Sequence, residues 1–174
     1  MDNITKTKFF VELIKPSHYD DDGYVIQWRK SWIPSNTLAC INALTQEAAD
    51  RNALGNDVEF VINAYDEMNI VIPVTDIIRR FKNGGEHGIV LFVGVQSNQF
   101  PRTMDIVRQF LKENIQVAIG GFHVSGSISM LPQLPEELKE ATEAGIALFA
   151  GEAEEGRLVE VFNDAYQEKL KPIY

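Results

Sequence analysis

Short runs rich in Val, Ile and Phe, alternating with segments of helical spacing, predict a doubly wound α/β fold built on five parallel strands. The runs Phe9-Phe10-Val11-Glu12-Leu13-Ile14, Val58-Glu59-Phe60-Val61-Ile62, Ile89-Val90-Leu91-Phe92-Val93, Val117-Ala118-Ile119 and Ala147-Leu148-Phe149 are too short for helices. Their apolar character is continuous rather than strictly alternating, as expected of strands covered on both faces. Four of them lead into polar turns: Lys15-Pro16-Ser17-His18, Gln96-Ser97-Asn98, Gly120-Gly121-Phe122-His123 and Gly151-Glu152. A parallel sheet gathers such turns at the carboxyl edge of its strands, where open α/β sheets bind their ligands.

The intervening segments carry helix punctuation. Thr103, Val107, Phe110 and Leu111 recur every three or four residues and form one apolar stripe, closed near Asn114, a residue tolerant of the left-handed turn. Thr75 stands as N-cap before Asp76-Ile77-Ile78, with Gly84 as the stop. Pro135 falls in the first turn of another helix, Glu136 and Glu137 suit its positive end, and Gly145 stops it. Connections of this length imply right-handed crossovers and a flavodoxin-like (Rossmann-like) strand order.

The segment 15–36 breaks this rhythm before a helix resumes at Thr37, because a strand-to-helix connection normally takes only a few residues. With His18, Tyr19, Tyr24, Trp28 and Trp32 it reads as an inserted functional flap. The alternative is that the rings fold back and pack on the sheet edge.

The chain has 174 residues, 45% of them apolar, enough for a single domain spanning 1–174. Its net charge of −9 repels phosphate backbones and anionic lipid, which excludes nucleic acid and membrane surfaces as expected partners. Most of that charge follows Pro135, where ten acids face four bases, and reads as a solvated helical face. Cys40 is the only cysteine, so an internal disulfide, a zinc ribbon and a self-contained iron–sulfur site are ruled out, and it reads as a packing residue. No apolar run approaches the ~20 residues of a membrane span, and Met1-Asp2-Asn3-Ile4-Thr5-Lys6 has no signal-peptide character, so the expected location is cytoplasmic.

Several cofactor sites fail on their required residues. The first turn, Lys15 to Asp22, has no glycine and therefore no dinucleotide fingerprint. Ser17 alone, followed by Asp20, Asp21 and Asp22, is a poor phosphate cradle, which disfavours a flavin mononucleotide. A phosphoryl-accepting receiver needs an Asp after the third strand and a Lys after the fifth, where this chain has Val95-Gln96 and Glu152. Asp20-Asp21-Asp22-Gly23 lacks the alternating spacing of a calcium loop and reads as a solvated turn. Ser125 and Ser127 near His123 fit a flexible loop as well as they fit acyl transfer, and no catalytic residue is nominated. What remains is glycine: Gly94, Gly120-Gly121 and Gly151 remove side chains at three successive strand ends and so open a slot for a large, flat ligand, or else merely permit sharp turns.

The run Ile119-Gly120-Gly121-Phe122-His123-Val124-Ser125, followed by Gly151-Glu152-Ala153-Glu154, resembles the N-terminal cobalamin-binding domain of radical S-adenosylmethionine enzymes. Val93-Gly94-Val95-Gln96-Ser97-Asn98-Gln99-Phe100-Pro101-Arg102 fits the same family, as do Lys15-Pro16-Ser17-His18-Tyr19 and Asp22-Gly23-Tyr24. The resemblance implies a corrin ring on the carboxyl edge, touching Ser17, His18 and Tyr19, and a nucleotide tail entering the slot beside Gly94 and Gly120-Gly121. It implies further contacts from Val95, Gln96 and Ser97 near the ring, from Phe122 and His123 along the tail, and from Gly151 and Glu152 at its far side.

Two features depart from related patterns. The D-x-H-x-x-G motif that lends cobalt a histidine in mutase-type domains is absent, because Pro16 stands two places before His18 and Asp21 three places after. His18 therefore remains only a candidate cobalt ligand from the long loop, and His123–Gly126 is a coincidental match on the wrong strand. A single Cys also cannot hold a 4Fe-4S cluster, so the cluster and S-adenosylmethionine would belong to a C-terminal radical domain, with 168–174 as the start of the linker to it. The expected function is to present cobalamin for methyl transfer or related radical chemistry. The alternative is a regulatory or interaction module of the same fold that has lost the ligand.

Overall fold

The computed structural model describes residues 6–29, 34–85 and 87–174; Trp32 and the first five residues lie outside them. Five strands form one parallel sheet: β1 (Thr7–Lys15), β2 (Val58–Asp66), β3 (Gly88–Phe92), β4 (Val117–Gly120) and β5 (Ala147–Phe149). Their order is β2-β1-β3-β4-β5, the flavodoxin-like order, and all pairs are parallel. Six helices cover it: α1 (Asn36–Asp50), α2 (Val74–Gly84), α3 (Phe100–Leu111), α4 (Phe122–Met130), α5 (Glu136–Glu143) and α6 (Arg157–Tyr166). None of the described helices is long and apolar enough to cross a membrane.

The pleat sends alternate strand residues to opposite faces. Phe9, Val11 and Leu13 enter a core with Leu158, Val161, Phe162 and Ala165 of α6 and Ala48 of α1. Phe10 and Ile14 enter the other, with Ile77 and Phe81 of α2 and Ile106, Val107 and Phe110 of α3. Phe9, Phe60 and Phe162 meet edge to face at centroid distances of 5.4 to 6.1 Å, the arrangement that ring quadrupoles favour.

Local signals place most elements, with adjustments. Ser35 caps α1, its side chain accepting from Leu38 N (3.2 Å). Thr75 is not a cap: α2 begins at Val74 after Pro73, and the left-handed closing residue is Gly85 rather than Gly84. Pro135 likewise precedes α5 as its N-cap residue. The segment holding Ser125 and Ser127, read as a flexible loop, is helix α4; its stripe was hidden by Gly126 and the serines, poor helix formers at low hydrophobic contrast. After α6 the segment 168–174, read as the start of a linker, returns to the sheet beside β5. There Leu148 N donates to Pro172 O (2.9 Å), Tyr174 N to Leu148 O (2.8 Å) and Ala150 N to Tyr174 O (3.0 Å). Tyr174 stacks on Phe149 and donates to Asp164 Oδ2 (2.8 Å), and burial raises its hydroxyl well above the usual tyrosine range.

One charge is buried within β1. Glu12 is fully enclosed and accepts from Arg80 of α2 (3.1 and 3.2 Å) and from Asn63 Nδ2 of β2 (3.1 Å). Burial raises its carboxyl above the ordinary value, opposed by the Arg80 charge and by hydrogen bonds from Tyr65, Arg80 and Asn63. The folded chain therefore takes up a proton here at higher pH than the unfolded chain, and this group's contribution to stability falls as pH rises through that window. Arg80→Met removes the counter-charge and widens the window. The expected loss at neutral pH is about 2 kcal/mol, moderated because Arg80 is partly solvated, with partial recovery as pH is lowered. Urea denaturation across a pH series measures it; a loss independent of pH would contradict this account.

Candidate functional site

At the carboxyl edge, the tips of β3 and β4 are clasped backbone to backbone. Val95 N donates to Gly120 O (3.0 Å) and His123 N donates to Val95 O (3.0 Å). At Gly121, φ is +138° and a Cβ would fall 2.2 Å from Val95 N, so only glycine fits. Gly94, at φ +62°, lies under the first turn of α1, where a Cβ would come 3.1 Å from Thr37 Cγ2. Lys15 locks the same turn from the end of β1, its Nζ donating to Gly94 O (2.9 Å) and Gln99 Oε1 (2.7 Å). Burial lowers this ammonium to about 8, against the raising effect of the Asp66 charge.

Beside the clasp a cavity of about 580 Å³ opens between α1 and α6. This volume suits a small-molecule site. Its floor is apolar, made by Leu91 and Val93 of the third strand run, Ala118 of β4 and Phe149 of β5, with Ile41 of α1 and Leu158 and Val161 of α6 as walls. Its rim is polar: Asn36, Thr37, Gln96, Ser125, Glu152 and Glu154. A flat, uncharged ring system fits the apolar floor of such a lining.

Seven of the site residues expected from sequence line this cavity: Gly94, Gln96, Gly120, Gly121, Phe122, Gly151 and Glu152. The other six lie elsewhere. Ser17 is fully buried, its backbone N–H donating to Glu67 Oε2 (3.0 Å) and its hydroxyl to Ile26 O. His18 O accepts from Ile26 N (2.9 Å), and Tyr19 pairs with Val25 and donates to Asp105 Oδ2 (2.6 Å). Val95 is fully buried in the core on the α2/α3 face.

Ser97 and His123 meet each other instead of the cavity. Ser97 is exposed on the short 3-10 turn Ser97–Gln99, and its Oγ lies 3.1 Å from His123 Nδ1. The His123 ring is buried at 7% exposure against Phe100, with centroids 4.6 Å apart. Its Nε2 lies 3.1 Å from Glu137 Oε1 of α5 but outside hydrogen-bonding alignment, and so is a buried polar atom without a hydrogen bond.

The described part of the long loop up to residue 29 folds as a hairpin onto the β2–α2 connection. Trp28 N donates to Met68 O (2.7 Å), Gln27 Nε2 to Glu67 O (2.9 Å) and Ile70 O (2.8 Å), while Asp20 Oδ1 accepts from Asp22 N and Tyr24 N in a tight turn. Arg102 secures it, pairing with the buried Glu67 (2.5 Å) and lying under Tyr19. Tyr24 and Trp28 remain exposed at 73% and 58%. Lys15 closes β1 and Asn36 opens α1, so the connection proper is 16–35.

Sequence reasoning missed the helical walls. Cys40, read as a packing residue, is an exposed thiol on the cavity lining, with Ile41 next to it and Thr37 one turn before both on α1. Their spacing of three and four was visible, but not which core they faced. Among the described residues no group of three or more His, Cys, Asp or Glu is arranged to hold a metal ion. Comparison of the chain with family models, with curated proteins and with solved structures finds no match.

The glycines separate by mechanism. Gly121→Ala forces backbone apart at a positive φ and should cost about 3 kcal/mol or more, whereas Gly120→Ala, whose Cβ meets Phe149 at an ordinary 3.5 Å, should stay within about 1 kcal/mol. Chemical denaturation of the two variants checks this, and equal losses would refute the close-approach argument.

Proposed function

We propose that this chain is a cobalamin-binding domain that presents the corrinoid to a radical S-adenosylmethionine domain. The observation that supports it is the cavity itself. It lies where an open α/β sheet binds ligands, between the first and last helices, with glycine-tipped strands at its mouth and an apolar floor. A flat heteroaromatic tail matches that floor, and backbone groups at Gly94, Gly120 and Gly121, with Gln96, Phe122, Gly151 and Glu152 at the rim, would hold the junction to the ring. When bound, cobalamin supplies a cobalt centre that can accept and hand on a methyl group. This chain's part is to seat the tail, orient the ring and keep water from the apolar floor.

The reading assigns cobalt no histidine from this chain, since His18 sits in the hairpin and His123 in the core. The 4Fe-4S cluster and S-adenosylmethionine belong in this reading to a C-terminal domain, because Cys40 is the only thiol here. A cytoplasmic location accords with the same chemistry.

Mixing the protein with hydroxocobalamin and passing it through gel filtration should leave the corrinoid spectrum with the protein peak. The lone thiol gives an internal reporter. Bound ligand should slow alkylation of Cys40 at least ~10-fold, and Cys40→Trp, which places a bulky ring on the cavity wall, should weaken retention without lowering the thermal midpoint. Cobalamin eluting apart from folded wild-type protein would favour the ligand-free interaction module.

A further inference from the structure

We propose that Ser97, His123 and Glu137 form a nucleophilic serine site that reacts with uncharged esters. The inference goes beyond corrinoid binding and does not rest on it. Three segments far apart in sequence converge here: the turn after β3 supplies Ser97, the start of α4 supplies His123, and the first turn of α5 supplies Glu137. The Ser97 Oγ to Nδ1 and Nε2 to Glu137 Oε1 separations are both 3.1 Å, the chain of contacts by which a base activates a hydroxyl while a carboxylate orients the base.

Exposure is graded to suit those roles. The hydroxyl is open to solvent, the imidazole is buried and gripped by Phe100, and the carboxylate is half-exposed. A purely structural histidine in this core would be expected to satisfy both ring nitrogens, yet Nε2 has no hydrogen bond. Glu137 is half-exposed on the first turn of α5, and a contact of this kind commonly tightens when substrate is bound.

The serine is exposed in a site that includes the Glu137 carboxylate, on a chain of net charge −9, which disfavours anionic substrates and leaves uncharged esters as the class to test.

With the ring proton on Nε2, Ser97 donates to Nδ1. The Oγ then bonds to the acyl carbon as its proton passes to Nδ1 and the carbonyl electron pair moves onto oxygen. That pair returns as the bond to the leaving alcohol breaks, and the leaving group takes the proton from His123. Water repeats the sequence on the acyl-serine, releasing the acid and restoring the hydroxyl.

The test uses ligand-free protein, a fluorophosphonate probe with peptide mass mapping, and p-nitrophenyl butyrate turnover. Ser97 should be labelled in the folded protein. Ser97→Ala should abolish both signals, and His123→Gln should slow labelling at least ~100-fold. Glu137→Gln, a change on an exposed helix turn that leaves folding intact, should slow it ~10-fold with KM unchanged, an effect a packing role would not produce. Absence of labelling in folded wild-type protein, labelling at another serine, or Glu137→Gln reacting at the wild-type rate would each overturn the proposal.

Discussion

The contact on which this edge of the molecule depends is backbone against backbone, Gly94-Val95 on Gly120-Gly121. Side chains cannot enter it, because a Cβ at Gly121 would sit 2.2 Å from Val95 N, far inside van der Waals contact distance. Its two hydrogen bonds hold the tips of β3 and β4 at one height and start α4 directly from the clasp. On the α1/α6 side the lost side-chain volume becomes the cavity. On the α2/α3 side the same clasp turns Val95 into the core and brings the segment carrying Ser97 against His123.

The two faces are used differently. The face under α1 and α6 is apolar down to the sheet and keeps an opening at its edge. The other is stitched by buried and half-buried charge: Glu12 with Arg80, Glu67 with Arg102, and Lys15 with the Gly94 carbonyl. Such groups are costly to enclose and tolerate little displacement once paired. The Glu67–Arg102 pair anchors the hairpin to the β2–α2 connection. Of the loop's described rings, Tyr19 lies against Arg102 and donates to Asp105, while Tyr24 and Trp28 are exposed.

The sheet was legible because a strand buried on both faces is a short continuous apolar run, and all five runs became strands. The strand-end glycines marked the mouth of the cavity, since turn chemistry is local. What was not legible is what depends on strand order. Ser97 and His123 are 26 residues apart, and they meet only because β3 and β4 are neighbours in register. Cys40 could not be assigned to a wall until α1 was known to share a face with α6. Helix α4 escaped notice because Gly126, Ser125 and Ser127 weaken the periodic signal that identifies amphipathic helices.

The central claim is that the cavity between α1 and α6 accepts the nucleotide tail of a corrinoid. Calorimetric titration of the protein with cobalamin and with cobinamide, the corrinoid that lacks the tail, tests this most directly. The account predicts one site and affinity for cobalamin at least ~10-fold greater, a difference of about 1.4 kcal/mol. Equal affinity for the two, or no binding of either, would contradict it.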